Sequence, residues 1–223
     1  MINHIYLILS KPEYNKILMP IKVVITDFGG VLYFLPDSRW LRRWQTILGL
    51  KNDPLVSQMV ASGMESDLAR RIFTGEIREE EVWQRAAKIW HVHPRLIRWL
   101  QRRSFSKERF NQPMADFIRS LRPTYYTAIL TNAGDQGRRV FCDAYHLEML
   151  VDTIIVSAEE GLAKPDERLY RLALTRLGVA PEEALFIDDL KVNVEAARLV
   201  GLKAIQFQST TQTIREMKAL LAA

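Results

Sequence analysis

Cysteine is nearly absent from this chain of 223 residues. The lone Cys142 cannot close an internal disulfide, which favours a reducing, cytoplasmic setting. Glycine (10) and proline (9) are sparse enough to exclude collagen-like and low-complexity chains. No apolar run approaches the roughly 20 residues that span a bilayer, so no membrane partner is expected. The apolar stretch Ile5 to Leu9 is also too short for a secretory core of about 7–15 residues, and Lys11-Pro12 follows it at once. Met19 stands just before Pro20 and a strand-like run, so the first 18 residues read either as an extension or as a misassigned start.

What remains is ample for a folded core. Apolar residues make up 48% of the chain, enough to bury a core without metal or disulfide staples. The formal charge is +5, and it is unevenly placed: residues 37–112 hold 15 Lys and Arg against 9 Asp and Glu, while the rest holds 16 against 17. All five Trp (Trp40, Trp44, Trp83, Trp90 and Trp99) fall in the same basic stretch. No recognisable nucleic-acid module accompanies it, so no nucleic-acid partner is expected. A cationic lid above an anion site fits better, with a solvated Arg-rich helical surface as the alternative.

The pattern along the chain gives the fold class. Lys22 to Thr26 is a β-branched run ending at Asp27 and reads as a buried parallel strand. Residues 37–112 read as helical. From Pro113 onward helix and strand alternate: helices over 114–121, 136–145, 166–178, 192–201 and 213–221, strands over 127–130, 153–156, 184–187 and 203–207. Alternation of this kind predicts an α/β, doubly wound parallel sheet. The expected domains are a core from 1–36 and 113–223, and an inserted helical cap from 37–112.

In open parallel sheets ligands bind beyond the carboxyl ends of the strands. Four features stand there. Asp27 can be a nucleophile, a metal ligand or a cap. Thr131-Asn132 offers a hydroxyl, an amide and backbone N–H groups to an anion, or ordinary turn chemistry. Lys164-Pro165 places a cation before a helix, with Pro165 suited to the first helical position. Asp188-Asp189 sets two carboxylates side by side, which repel unless a cation such as Mg²⁺ neutralises them. Together they make a phosphate-plus-Mg²⁺ site.

These residues resemble the haloacid dehalogenase (HAD) superfamily. Its first motif stands here as Val23-Val24-Ile25-Thr26-Asp27-Phe28-Gly29-Gly30-Val31-Leu32 and its second as Ile129-Leu130-Thr131-Asn132. The third is Gly161-Leu162-Ala163-Lys164-Pro165. The fourth is Phe186-Ile187-Asp188-Asp189, followed by Asn193-Val194-Glu195-Ala196-Ala197 and Gly201. The insert looks like the helical cap of the phosphoglycolate-phosphatase-like subgroup. The resemblance implies a Mg²⁺-dependent phosphatase for a small phosphorylated metabolite. Asp27 would attack phosphorus and form an aspartyl phosphate. Thr131 and Asn132 would hold the phosphoryl oxygens, and Lys164 would neutralise the attacking and transferring groups. Asp27, the Gly29 carbonyl, Asp188 and Asp189 would hold the metal.

One departure matters. Most family phosphatases carry a second Asp two residues after the nucleophile, which protonates the leaving group. Here Gly29 stands in that place. General acid–base help is worth roughly 10²–10⁴-fold. The expectation is therefore a slow phosphatase, or one for acyl, aryl or anomeric phosphates, or another residue supplies the proton, with Asp37 and Asp135 as candidates beside their reading as turn or cap residues. Two other functions stay open: a non-catalytic, regulatory phosphate-binding protein, and a 2-haloacid dehalogenase, which also lacks the second Asp but generally lacks the acidic pair. In the insert, Glu79-Glu80-Glu81 reads as the acidic first turn of a helix. His91 and His93 read as ordinary histidines.

Overall fold

The computed structural model describes residues 20–34, 66–89, 91–93, 95–96 and 109–222. The expectations for residues 1–19, for Asp37 and for Trp40, Trp44, Trp90 and Trp99 lie outside the described residues.

Five parallel strands form one sheet: β1 (Val23–Thr26), β2 (Tyr126–Thr131), β3 (Thr153–Val156), β4 (Ala184–Asp188) and β5 (Lys203–Gln206), in the order β3-β2-β1-β4-β5. The helices are α1 (Asp67–Phe73), α2 (Glu79–Ile89), α3 (Gln112–Leu121), α4 (Gly137–Tyr145), α5 (Leu147–Leu150), α6 (Ser157–Glu160), α7 (Glu167–Leu177), α8 (Lys191–Val200) and α9 (Thr210–Leu221). None of these is long and apolar enough to cross a membrane.

Strand alternation divides the core into two layers. Val24, Ile129, Leu185 and Ile187 pack with Met114 and Ile118 of α3, Leu147 and Leu150 of α5 and Met217 of α9. On the other face Val23, Ile25, Leu130, Ile155 and Phe186 pack with Leu169, Tyr170 and Ala173 of α7 and with Ala197 and Val200 of α8. The doubly wound reading of the sequence therefore holds. Burial on both sides explains why the strands are continuous apolar runs.

The chain passes from β1 to β2 through a long connection that contains α1 and α2. Its two ends run together: Tyr33 pairs antiparallel with Phe110, and the Phe34 N–H donates to the Arg109 carbonyl at 2.9 Å. Asn111 fastens this return point. Its buried side chain donates to the Val31 carbonyl and bonds Thr210 at 2.9 Å, while its Oδ1 faces the Met114 N–H of α3. The helix so capped begins two residues before the expected start. Ser209 likewise caps α9, which begins three residues early. At α1, Arg70 pairs with Asp67 and Glu76 of its own neighbourhood, so this part of the basic excess is neutralised locally.

One local expectation fails. Pro165 is not the first residue of a helix: α7 starts at Glu167, and Asp166 is its cap, its side chain accepting the Arg168 N–H at 2.9 Å. The reason is that Asp166 supplies an acceptor for an orphan donor, while the Lys164 backbone ahead of it is already committed to Asn132.

Asn111→Ala removes a helix cap and strands a buried carbonyl. Urea unfolding should show a loss of about 2–3 kcal/mol with the denaturant slope unchanged.

Candidate active site

The three central strands β2, β1 and β4 end side by side, and each delivers a polar residue at its carboxyl end. Thr131 closes β2, Asp27 follows β1 and Asp188 closes β4. Parallel register brings Thr26 opposite Ile129 and Ile187, so Asp27 and Asp188 are level and Thr131 stands one residue further along. Lys164 arrives from the loop between α6 and α7. Its ammonium lies 2.9 Å from Asp27 Oδ2 and 2.7 Å from Asp188 Oδ2, with its side chain 1% exposed.

Each group is held in place. Asp27 Oδ1 accepts the Phe28 N–H at 2.7 Å. Asp188 accepts the Leu190 N–H at 2.9 Å and the Asn193 side chain at 3.0 and 3.1 Å. Beneath the ammonium, the Phe186 ring centroid lies 5.5 Å away. The Asn132 carboxamide bonds the Lys164 backbone in both directions, its Nδ2 donating to the carbonyl and its Oδ1 accepting the N–H, each at 2.8 Å. The side chain of Asn132 therefore orients Lys164.

Asp189 stands half-buried beside this group, and ligand atoms of Asp27, Asp188 and Asp189 lie within 4.8 Å of one another. Three carboxylates against one ammonium leave an excess of negative charge suited to a hard cation with oxygen ligands, so the residues fit Mg²⁺. The titration pattern agrees. Burial, then the neighbouring Asp188, raise Asp27 to about 7 against the pull of Lys164. Burial and Asp188 also raise Asp189. For Lys164 burial works against the charge, but the two carboxylates outweigh it and hold the ammonium above its usual range.

Consecutive glycines follow the first strand for different reasons. Gly30 has a left-handed φ of +77°, and a Cβ there would overlap the Asp189 carboxylate. Gly29 is under neither demand: its φ is ordinary and, among the described residues, nothing lies within 4 Å of an added Cβ.

Asp135, a candidate replacement acid, is engaged elsewhere. Its Oδ1 accepts the Glu79 N–H at 3.0 Å and its Oδ2 accepts the Gln136 side chain at 3.0 Å. The acidic first turn Glu79 to Glu81 is as expected, and His91 and His93 are exposed. Asn193 and Phe186 belong to the fourth motif, and their signals in the sequence are the position five residues past Asp188 and the aromatic two residues before it.

A family model for the haloacid dehalogenase-like hydrolases matches residues 21–201. The chain belongs to that family. It is 26% identical over 220 residues to bifunctional epoxide hydrolase 2 of Sus scrofa, covering 90% of this chain and 39% of that protein. It is 39% identical over 79 residues to phosphoserine phosphatase of Thermus thermophilus, covering 35% of this chain and 32% of that protein. The matched stretch is thus less than half the length of either relative. Among solved structures, a HAD family enzyme from Bacteroides thetaiotaomicron in complex with magnesium and inorganic phosphate shares the fold. Its TM-score is 0.70 at 22% identity, over 83% of this chain and 93% of that one. A dehalogenase shares it too, with a TM-score of 0.63 at 19% identity over 91% of this chain and 98% of that one. The fold alone therefore does not separate phosphoryl transfer from dehalogenation.

Because Asp27 is raised from 3.8 to about 7, the metal-free folded protein holds a proton that the unfolded chain releases. Stability should therefore fall as pH rises through this window. Measured by urea unfolding in chelator, the stability of wild type relative to Asp27→Asn should drop by roughly 2–4 kcal/mol between about pH 4 and pH 7.

Proposed function

We propose that this HAD-like hydrolase is a Mg²⁺-dependent phosphatase of small phosphorylated metabolites. The observation that carries this reading is the Asp27-Lys164-Asp188 cluster, with Asp189 completing an acidic triad beside Thr131. In it Asp27 is the nucleophile, attacking phosphorus to give an aspartyl phosphate that water then hydrolyses. Asp27, the Gly29 carbonyl, Asp188 and Asp189 hold the metal. When bound, Mg²⁺ offsets the repulsion between a carboxylate nucleophile and an anionic phosphate.

Lys164 neutralises charge on the nucleophile and on the transferring group. The Thr131 hydroxyl and the Asn132 backbone N–H hold phosphoryl oxygens, which suits an Asn132 side chain already engaged on Lys164. Residues 37–112 form the cap over a core of residues 1–36 and 113–223, in the manner of the phosphoglycolate-phosphatase-like subgroup. The meeting of the two connecting stretches at Tyr33 and Phe110 supports this division. The acidic pair favours phosphoryl chemistry over dehalogenation, and the intact ion cluster favours an enzyme over a phosphate-binding relic.

No general acid stands at Gly29, and Asp135 is spent on α2. Among the described residues no acid then stands ready to protonate the leaving group, and the reading favours acyl, aryl and anomeric phosphates over alkyl ones, with Asp37 as the other candidate acid.

Rates on an aryl- and alkyl-phosphate series with Mg²⁺ test this. Chelator should remove the activity and Asp27→Asn should abolish it; activity surviving Asp27→Asn would exclude the assigned nucleophile. Wild-type rates should fall steeply as the leaving group becomes more basic. The open space at Gly29 should admit Gly29→Asp, which should raise the alkyl-phosphate rate about 10–100-fold and flatten the dependence. A flat dependence in wild type would mean that another acid is in place.

A further inference from the structure

Cap and core meet at a seam beside the site. Asp135 Oδ1 accepts the Glu79 N–H at 3.0 Å across 56 residues, so the core caps α2 from a distant part of the chain. In return the Glu79 carboxylate lies against the Gly134 backbone. A Cβ at Gly134 would overlap that carboxylate, so only glycine permits the approach. One turn earlier, Gly75 lies against the Ala158 carbonyl at the start of α6.

The core side of the seam is the loop that carries Asn132. Its next residue, Ala133, is bound twice to buried Ser157: the Ala133 N–H donates to Ser157 Oγ at 3.0 Å, and that hydroxyl donates back to the Ala133 carbonyl at 3.1 Å. Residues 132 to 135 thus face two ways. Asn132 and Ala133 grip the Lys164 backbone and α6, while Asp135 grips the Glu79 backbone and Gly134 leaves room for the Glu79 side chain.

We propose that Glu79 and Asp135 are positioning residues whose clasp on this loop couples the seating of the cap to the placement of Asn132 and, through it, of Lys164. The clasp joins two carboxylate-bearing residues, so its hydrogen bonds are opposed by like charge. Such a contact closes without locking, as an enclosed site with turnover requires. The proposal rests on the phosphatase reading only where activity is measured.

Amide hydrogen exchange tests the coupling without reference to activity. Asp135→Ala removes the acceptor, whereas Asp135→Asn keeps one. In Asp135→Ala, exchange should rise about five- to tenfold at residues 79–82 and also at Ala133, Gly134 and Lys164. Asp135→Asn should restore the wild-type pattern. Glu79→Ala, which removes the side chain lying against Gly134, should loosen the same loop and serves if Asp135→Ala does not fold. On p-nitrophenyl phosphate, kcat should fall about tenfold in both alanine variants and recover in Asp135→Asn. A rise confined to residues 79–82, or no recovery in Asp135→Asn, would overturn the proposal and leave Asp135 as a local helix cap. If wild type hydrolyses no phosphate ester, the function fails while exchange still decides the coupling.

Discussion

The Lys164 ammonium, buried between Asp27 and Asp188, is the constraint on which the rest of the structure depends. Removing three charges from water costs several kcal/mol per ion, and mutual attraction returns this only when geometry and hydrogen bonding are complete. The protein meets that condition from four separate elements. Two strand ends supply the carboxylates, at 2.9 and 2.7 Å from the ammonium. Asn193, at the start of α8, and the Phe28 and Leu190 N–H groups complete them. Phe186 lies under the charge, and Asn132 fixes the backbone that carries it. The apolar sheet below excludes water, which makes each of these contacts matter more.

The cluster is balanced for charge only in part. One ammonium faces Asp27, Asp188 and the nearby Asp189, and burial first, then the neighbouring Asp188, raises both Asp27 and Asp189. Perturbed ionisation of this kind gathers at functional sites, and structural ion-pair networks produce it too. Exposed pairs elsewhere, such as Arg70 with Glu76, carry no such tension. The two glycines after Asp27 divide in the same way. Gly30 is required by its backbone and by the room Asp189 needs, whereas among the described residues neither demand falls on Gly29.

Much of this was legible in the sequence because strand ends in a parallel sheet carry their own signal. A β-branched run stopping at Asp27, or an apolar run stopping at Asp188-Asp189, needs no tertiary information to be noticed. Less legible were contacts that join distant segments. Pro165 looked like a helix start, but the cap is Asp166, because the turn before it is held by Asn132. Asp135 reads from sequence as a turn or cap residue or as a spare acid, and only the fold shows that its oxygens serve Glu79 and Gln136. Asn111 and Ser157 belong to no motif, and only burial gives them weight.

By itself, then, the sequence determined the layered parallel sheet, the place of the long insertion and the identity of the residues at the sheet edge. Periodicity and strand length are local properties, and a one-dimensional pattern records them fully. The tertiary structure alone decided how those residues are used: that Lys164 is shared by two carboxylates, that Asn132 turns its side chain to the backbone of Lys164, and that Glu79 of the insertion is bonded to Asp135. Each of these depends on distances between segments tens of residues apart. Such distances follow from packing density and hydrogen-bond completion in the folded core, which no local pattern encodes.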